Sequence, residues 1–598
     1  MAKKKTPINY TSRDFESIRR DLINHAKRSY PSVYRDFNEA SFGSLMIDTV
    51  AYIGDIMSFY LDYQANESFM DSAVEFKNVT RHARQYGYKD NSSPSSTGIA
   101  EFYLTVPANS TGLGPDLRYA PILKRDSEFS SNGGAPYLLV EDVNFENPNN
   151  EIIVAKVNTS TGIPVSYAIR AKGRVISGRI VEENFQIGDY KKFRRSFLSI
   201  PKVAEVLSVF DSDGNEYYEV EHLSQDVIYK DVTNRKSDND IVPSLIRPFS
   251  VPRRFTLERE GNNSYLQFGY GSQDEASSEA DIAEPSSVVL QMNGRGYISD
   301  FNFDPSRLLQ TDKFGVAPVN TSLNVRYRVN KANNVNSPVG TLVNVGKTNY
   351  SYRNVRQLNS ALVQQVDASL EVYNPTPIVG DVSNPTSEEL KVRTLNVFAT
   401  QNRAVTKTDY EAMVYAMPAK FGAIKRCKIT RDPDSFKRNL NLYVLSEDSN
   451  GSLTLANSTL KDNLKVWLNN IKMINDTIDI IDGKIINLAI GFKVIADPDK
   501  NKYDVLTACV NALKKKFNQP LLLGESFYIT DVYNTLNDVV GVVDTQSVKI
   551  SIKNGALYSD TRFNLNDQKS ADGRYIKAPD NVSFEIKFAD KDIKGTVK

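Results

Sequence analysis

The sequence predicts a multidomain α+β protein with an N-terminal helical segment, a β-rich central region and a C-terminal α+β domain. Three observations lead there. Apolar residues in the first 87 positions recur at helical spacing. From residue 99 to about 345 they gather in short runs rich in β-branched and aromatic residues, separated by Gly, Asn, Asp and Pro. After about residue 350 helical patterns return between strands. A length of 598 residues supplies ample buried core and fits about two to four domains. The expected division is 1–88 for the helical segment, 89–98 for a linker, 99–349 for the central region and 350–598 for the C-terminal region.

The first helix is expected to start with Thr11 and Asp14 in a capping box, to repeat Phe15, Ile18, Leu22, Ile23 and Ala26 on one face, and to end at Pro31. The second contains FGSLMIDTVAYIGDIMSFYLDY, residues 42–63. Asp48, Asp55 and Asp62 fall at intervals of seven, nearly two full turns, so they stack on one narrow face, which is expected to meet water. The inner positions are Met46, Val50, Ile53, Met57 and Tyr60, flanked by Leu45, Tyr52, Ile56, Phe59 and Leu61. The apolar arc exceeds the roughly 100° that a surface helix ordinarily buries. Three carboxylates in hydrocarbon would cost about 2.5 kcal/mol or more each, and no basic residue in the stretch can pair with them, which argues against a membrane span. The pattern fits a core helix of a large domain and, equally, a helix shared with another chain. A third helix is expected over 72–86, and the polar run KDNSSPSSTG, residues 89–98, reads as the linker.

In the central region EFYLTV, EIIVAKV, PVSYAIR, GRVISGRI, YLQFGYG, SVVLQM and LNVRYRV read as strands, with no period of about 20–50 residues that would signal a solenoid or propeller. Further on, Thr386 with Glu389 caps a helix through residue 401, and Thr406 with Asp409 caps another that ends at Pro418. Strands at IKRCKIT and LNLYVLS, a helix around Trp467, a strand at INLAIGFKV, helices at 502–517 and 527–538 and a strand at VVDTQSVKI complete the pattern.

Lys plus Arg number 73 against 72 Asp plus Glu, so no global field draws the chain to nucleic acid or an anionic membrane, and neither is expected as a partner. Cys427 and Cys509 are the only cysteines, which excludes a disulfide framework and fits folding in a reducing cytoplasm. The basic start MAKKKTPINY leads into TSRDFESIRR rather than an apolar core, so no secretion signal is expected.

A search for chemistry finds no catalytic, cofactor or metal motif. His25, His82 and His222 lack a His or Cys at ligand spacing, and no G-x-S-x-G elbow occurs. GTLVNVGKT, residues 340–348, separates Gly340 and Gly346 by five residues where a phosphate loop needs four, and TLVNV reads as a strand. DSDGNEYYEV, residues 211–220, has its glycine fourth rather than sixth, which favours a hairpin turn over a calcium loop. YKKFRRSF, residues 190–197, interleaves Lys191, Lys192, Arg194 and Arg195 with rings; the balanced total charge favours a basic strand facing water or an acidic partner over nucleic acid. With 31 Tyr and 28 Phe and no catalytic signature, the chain reads as a non-enzymatic assembly protein without a cofactor.

QNRAVTKTDYEAMVYAMPAKFGAIKRCKIT, residues 401–430, resembles the baseplate J-like family, which includes the wedge ring protein of contractile phage tails. The matching residues are Asn402, Arg403, Ala404, Val405, Thr406, Asp409, Tyr410, Glu411 and Pro418. The stretch at 521–550 is similar to the family's late segment, with Gly524, Glu525 and Gly541 at its turns. FGYGS at 268–272 and VAPVNTSLNVRYRV at 316–329 resemble two further motifs, although Tyr270 stands where many relatives have Asp. The resemblance implies a structural protein of the virion, assembled in the host cytoplasm, that dimerises and joins into a ring around the baseplate hub. It also implies that the N-terminal helices bundle with other wedge proteins, that tail hub or sheath-proximal proteins are further partners, and that the ring rearranges when the sheath contracts. On that reading Met46, Val50, Ile53, Met57 and Tyr60 are the partner interface and 89–98 is a hinge. A tail adhesin and, further off, a glycan-degrading tail enzyme are the alternatives.

Overall fold

Helical spacing at the N-terminus yields α1 (Phe15–Ser29), α2 (Phe42–Glu67) and α3 (Phe76–Gln85). The computed structural model describes residues 14–30, 41–89, 94–109, 114–233, 244–260, 263–271, 314–330, 334–432, 439–555 and 557–598. Thr11, Pro31 and the expected strand SVVLQM lie outside the described residues, as do residues 90–93 of the expected linker and Ser272 of the FGYGS motif. The fold class agrees with the sequence reading: helices first, a β-rich centre, and mixed helices and strands after it.

The chain divides into two compact units that do not follow chain order. The first joins residues 1–90 to 384–416 and adds α4 (Ser387–Thr400) and α5 (Lys407–Tyr415) to the N-terminal helices. Met70, Ala73, Val79, Ala83, Tyr88 and Leu390 form its buried cluster, so α4 supplies a core residue to helices more than 300 positions earlier. The third helix begins later than expected because Glu67, at the end of α2, captures the backbone ahead of it. Its carboxylate accepts from the amides of Val74 at 2.8 Å and Glu75 at 3.3 Å and from the Asn78 side chain at 2.8 Å. Burial works to raise the Glu67 carboxyl, but these hydrogen bonds outweigh it and hold it below the usual carboxylate range.

The second unit, residues 91–383 and 417–598, is built on sheets. Strands β1 (Thr97–Pro107), β2 (Glu128–Ser131), β3 (Pro136–Leu139), β4 (Glu151–Val157) and β5 (Pro164–Ser177) form most of the first. The second contains β6 (Arg179–Ile187), β7 (Arg195–Phe197), β8 (Val203–Phe210), β9 (Glu216–Glu219), β10 (Arg254–Glu260), β11 (Asn263–Phe268) and β12 (Thr321–Val329). Its order among the described residues is β6-β12-β8-β9-β10-β11-β7. The first sheet is completed by β13 (Leu342–Val345), which pairs with β2, and β14 (Glu371–Tyr373), which pairs with β1. Thus GTLVNVGKT contributes a strand. DSDGNEYYEV contributes the β8–β9 hairpin, with Asp211 accepting from the amides of Asp213 and Asn215 and Gly214 at φ +80°.

C-terminally, β15 (Arg426–Arg431), β16 (Asn439–Glu447), β17 (Leu453–Thr454) and β18 (Thr477–Asp482) make one small sheet, with α6 (Ser458–Asn469) inserted before its last strand. A final sheet centres on β19 (Lys484–Ala496), with β20 (Val542–Lys553), β21 (Val582–Glu585) and β22 (Ile593–Val597) beside it. Helices α7 (Lys502–Lys516) and α8 (Ile529–Asn537) cover it, burying Leu513, Val532 and Leu536 with Leu488 and Phe584. Lys514, Lys515 and Lys516 sit in the last turn of α7, where they favour its negative end.

Candidate assembly interface

In α2 the buried residues below its last turn are Ser44, Ala51 and Ser58, spaced by seven. These small side chains form the stripe on which α1 packs, since a Cβ added at Gly54 would stand 3.2 Å from Ile18 Cδ1. The acidic line borders that stripe. Asp48, Asp55 and Asp62 are half-buried, and Arg19 of α1 donates from Nε to Asp48 Oδ1 at 2.6 Å. The expectation that this face meets water is therefore corrected. Heptad spacing identifies the stripe, but residue size decides which stripe a neighbour approaches, and a basic residue on that neighbour pairs with the first carboxylate. Sequence reading passed over Ser44, Ala51 and Ser58; their own seven-residue period beside the aspartates was the available signal.

The wide apolar arc is left uncovered among the described residues. Met46, Val50 and Ile53 are each 51% exposed, Met57 59% and Tyr60 64%. The flanking Leu45, Tyr52, Phe59 and Leu61 are exposed as well, and Phe59 stacks on Tyr63 at 6.4 Å between ring centroids. Fully burying such a side chain is worth about 1.5–3 kcal/mol, so covering the exposed half of the five inner positions would yield roughly 4–8 kcal/mol before association costs. A contiguous exposed apolar face of this kind is a candidate contact surface.

The motif residues of the second unit and of α5 set backbone geometry. Gln401 and Asn402 take the left-handed conformation at φ +49° and +59°, turning the chain out of α4. Ala404 is fully buried and Val405 is exposed. Thr406 Oγ1 accepts from the Asp409 amide at 3.2 Å, while Asp409 accepts from the amides of Thr406 and Val405, a complete capping box. Tyr410 is buried behind it, and Arg403 donates its amide to Thr400 O. Pro418 precedes a single 3₁₀ turn at Ala419–Phe421 in the second unit. Gly524 and Gly541 have φ of +77° and +95°, and Glu525 accepts from the Leu522 amide at 2.7 Å. Caps and turns of this sort hold elements in place and carry out no bond chemistry.

The histidines are dispersed. His25 Nδ1 lies 3.5 Å from Ser29 Oγ on α1, and His82 Nε2 lies 2.9 Å from Glu67 O. Among the described residues no group of three or more His, Cys, Asp or Glu side chains gathers as a metal site, and no described helix is long and apolar enough to cross a membrane.

Comparison with known proteins places this geometry in context. No curated protein matches the chain in sequence. Across its length the chain is similar to the cryo-EM structure of the anti-feeding prophage (AFP) baseplate, 6-fold symmetrised, at 10% identity and a TM-score of 0.22, covering 97% of this chain and 90% of that one. Residues 14–85, which contain α1, α2 and α3, match the family described as bacteriophage baseplate protein, N-terminal domain. That match, falling on the helices that carry the uncovered face, supports a structural role in a phage baseplate.

Proposed function

We propose that the chain is a baseplate wedge component of a contractile phage tail, joined to other wedge proteins through the apolar face of α2. The observation that carries the reading is the coincidence of two facts: the segment similar to a baseplate N-terminal domain is also the one whose longest helix exposes Met46, Val50, Ile53, Met57 and Tyr60. A partner of matching chemistry is an amphipathic helix laid along α2, with anchors at helical spacing. Assembly continues by self-association of the chain into a ring around the hub, whose contacts rearrange when the sheath contracts, as bistable interfaces do.

The test replaces Ile53 and Met57 with Asp and co-expresses the variant with the remaining wedge proteins of the same tail. Both positions are more than half exposed, so the variant should fold with unchanged helical circular dichroism. Loss of wedge assembly is the expected result, and wedges that form as before would sink the proposal. Light scattering of the full chain across a dilution series addresses the ring. A mass that stays at one chain throughout, alone and with the wedge partners, would remove self-association from the reading.

A further inference from the structure

On the second sheet, β10, β11 and β7 are neighbours paired in register. Thr256 stands opposite Gln267 and Glu258 opposite Tyr265, and across the next pairing Gln267 faces Arg195 and Tyr265 faces Phe197. Together with the 221–224 loop, Phe193 and Phe314, β10 and β11 line an open groove of about 330 Å³. That volume lies at the small end of the range for small-molecule sites, roughly 300–1,000 Å³.

Three observations mark the groove as built rather than incidental. Phe193 and Phe314 both hold left-handed backbone, at φ +49° and +57°, a conformation that bulky residues enter at a cost of about 1 kcal/mol or more each. Their rings lie 6.4 Å apart, and each also meets Tyr270, so Phe193 and Phe314, backed by Tyr270, form an aromatic platform at one end. Gly269 makes this possible, since a Cβ there would fall 2.0 Å from Phe314 O, and Gly271 donates its amide to Gly315 O at 3.0 Å. Below the platform, the side chains of Thr256, Glu258, Gln267 and His222 form no hydrogen bond among the described residues. They therefore offer a row of unspent donors and acceptors along one wall.

We propose that this groove binds a neutral saccharide of one or two pyranose rings, an activity that goes beyond the assembly role. Flat aromatic faces suit the C–H face of a pyranose, and a carboxylate beside an amide and a hydroxyl suits its adjacent hydroxyl groups. A phosphate or other anion is disfavoured by Glu221 and Glu258, which both line the groove. A wholly apolar ligand would strand the polar row without partners.

The experiment is saturation-transfer NMR on the full chain with glucose, galactose, mannose, N-acetylglucosamine and maltose, each at about 10 mM, a concentration suited to a weak small-ligand site. Transfer to ring protons of at least one sugar is expected, with affinity reduced about tenfold or more in Gln267→Ala and in Glu258→Gln, because each loses a directional partner of a hydroxyl. Far-UV circular dichroism establishes that both variants fold, and Phe193→Gly, which relieves the backbone strain while deleting part of the platform, gives a third loss. The proposal is overturned if no sugar in the panel shows transfer, if transfer persists at full strength in the folded variants, or if inorganic phosphate shifts the groove resonances while the sugars do not.

Discussion

Replacing Lys425 with Met tests an ion pair of the second unit in which both side chains are buried. Lys425 Nζ lies 2.9 Å from Glu447 Oε2, with side-chain exposures of 4% and 6%. Glu447 also accepts from the amide of Ser383 at 3.0 Å and from its hydroxyl at 2.9 Å. At an effective dielectric constant of about 20, opposite charges at this separation attract by roughly 6 kcal/mol. The Ser383 hydrogen bonds survive the substitution and solvate part of the stranded carboxylate, so a net loss of about 3–5 kcal/mol is expected. Replacing both residues, Lys425→Met with Glu447→Leu, removes the unpaired charge and should restore most of that loss. Urea unfolding can be followed by fluorescence of Trp467, the single tryptophan, which lies half-buried on α6 of the same unit. A cost below about 1 kcal/mol for the single substitution, or a double variant as unstable as the single one, would refute the reasoning.

Other consequences are open to measurement. Burial pushes the Asp381 carboxyl up to about 6 and the Glu585 carboxyl up to about 7, against ordinary values of 3.8 and 4.5. Both folded-state values lie above the unfolded ones, so the stability they contribute is full at low pH and is lost as pH rises through 6 and 7. Comparing urea midpoints from pH 5 to 8, the Asp381→Asn, Glu585→Gln double variant should lose less stability with rising pH than the native chain; an equal or steeper decline would contradict the sign. Thr406→Ala deletes one arm of the capping box and should cost about 1 kcal/mol, read as faster amide exchange at the start of α5, whereas unchanged exchange would deny the cap its role. Gly269→Ala places a Cβ 2.0 Å from one backbone carbonyl oxygen and 2.3 Å from another, so its expected penalty is at least about 2 kcal/mol; a variant as stable as the native chain would show that the turn can move aside.

How much of this was legible beforehand differs by element, for physical reasons. The Thr386 cap of α4 and the capping box of α5 were readable because Thr386 and Thr406 act over three residues, and so was the β8–β9 hairpin, which Asp211 and Gly214 close locally. The start of α3 was not, because it depends on Glu67 reaching seven and eight residues forward. Nor could the orientation of α2 be read. Asp48, Asp55 and Asp62 looked like a solvent stripe until α1 supplied Arg19, a pairing across 29 positions. The residues 94–98, polar enough to read as a linker, are buried, with Ser96 donating to Asn336 across 240 positions. The groove was least legible of all: its walls come from five separated stretches, and although the basic run around Phe193, His222 and the YLQFGYG strand are each visible in the sequence, nothing there brings them together.

The first unit closes only when residues 384–416 join residues 1–90, and Leu390 completes its core. On a ribosome adding about 5–20 residues per second, the roughly 290 intervening residues take about 15–60 s to synthesise. For that interval the nascent N-terminal helices lack helix α4 and the Leu390 side chain that complete their packing. The first unit's core is thus completed only after about two thirds of the chain has been made.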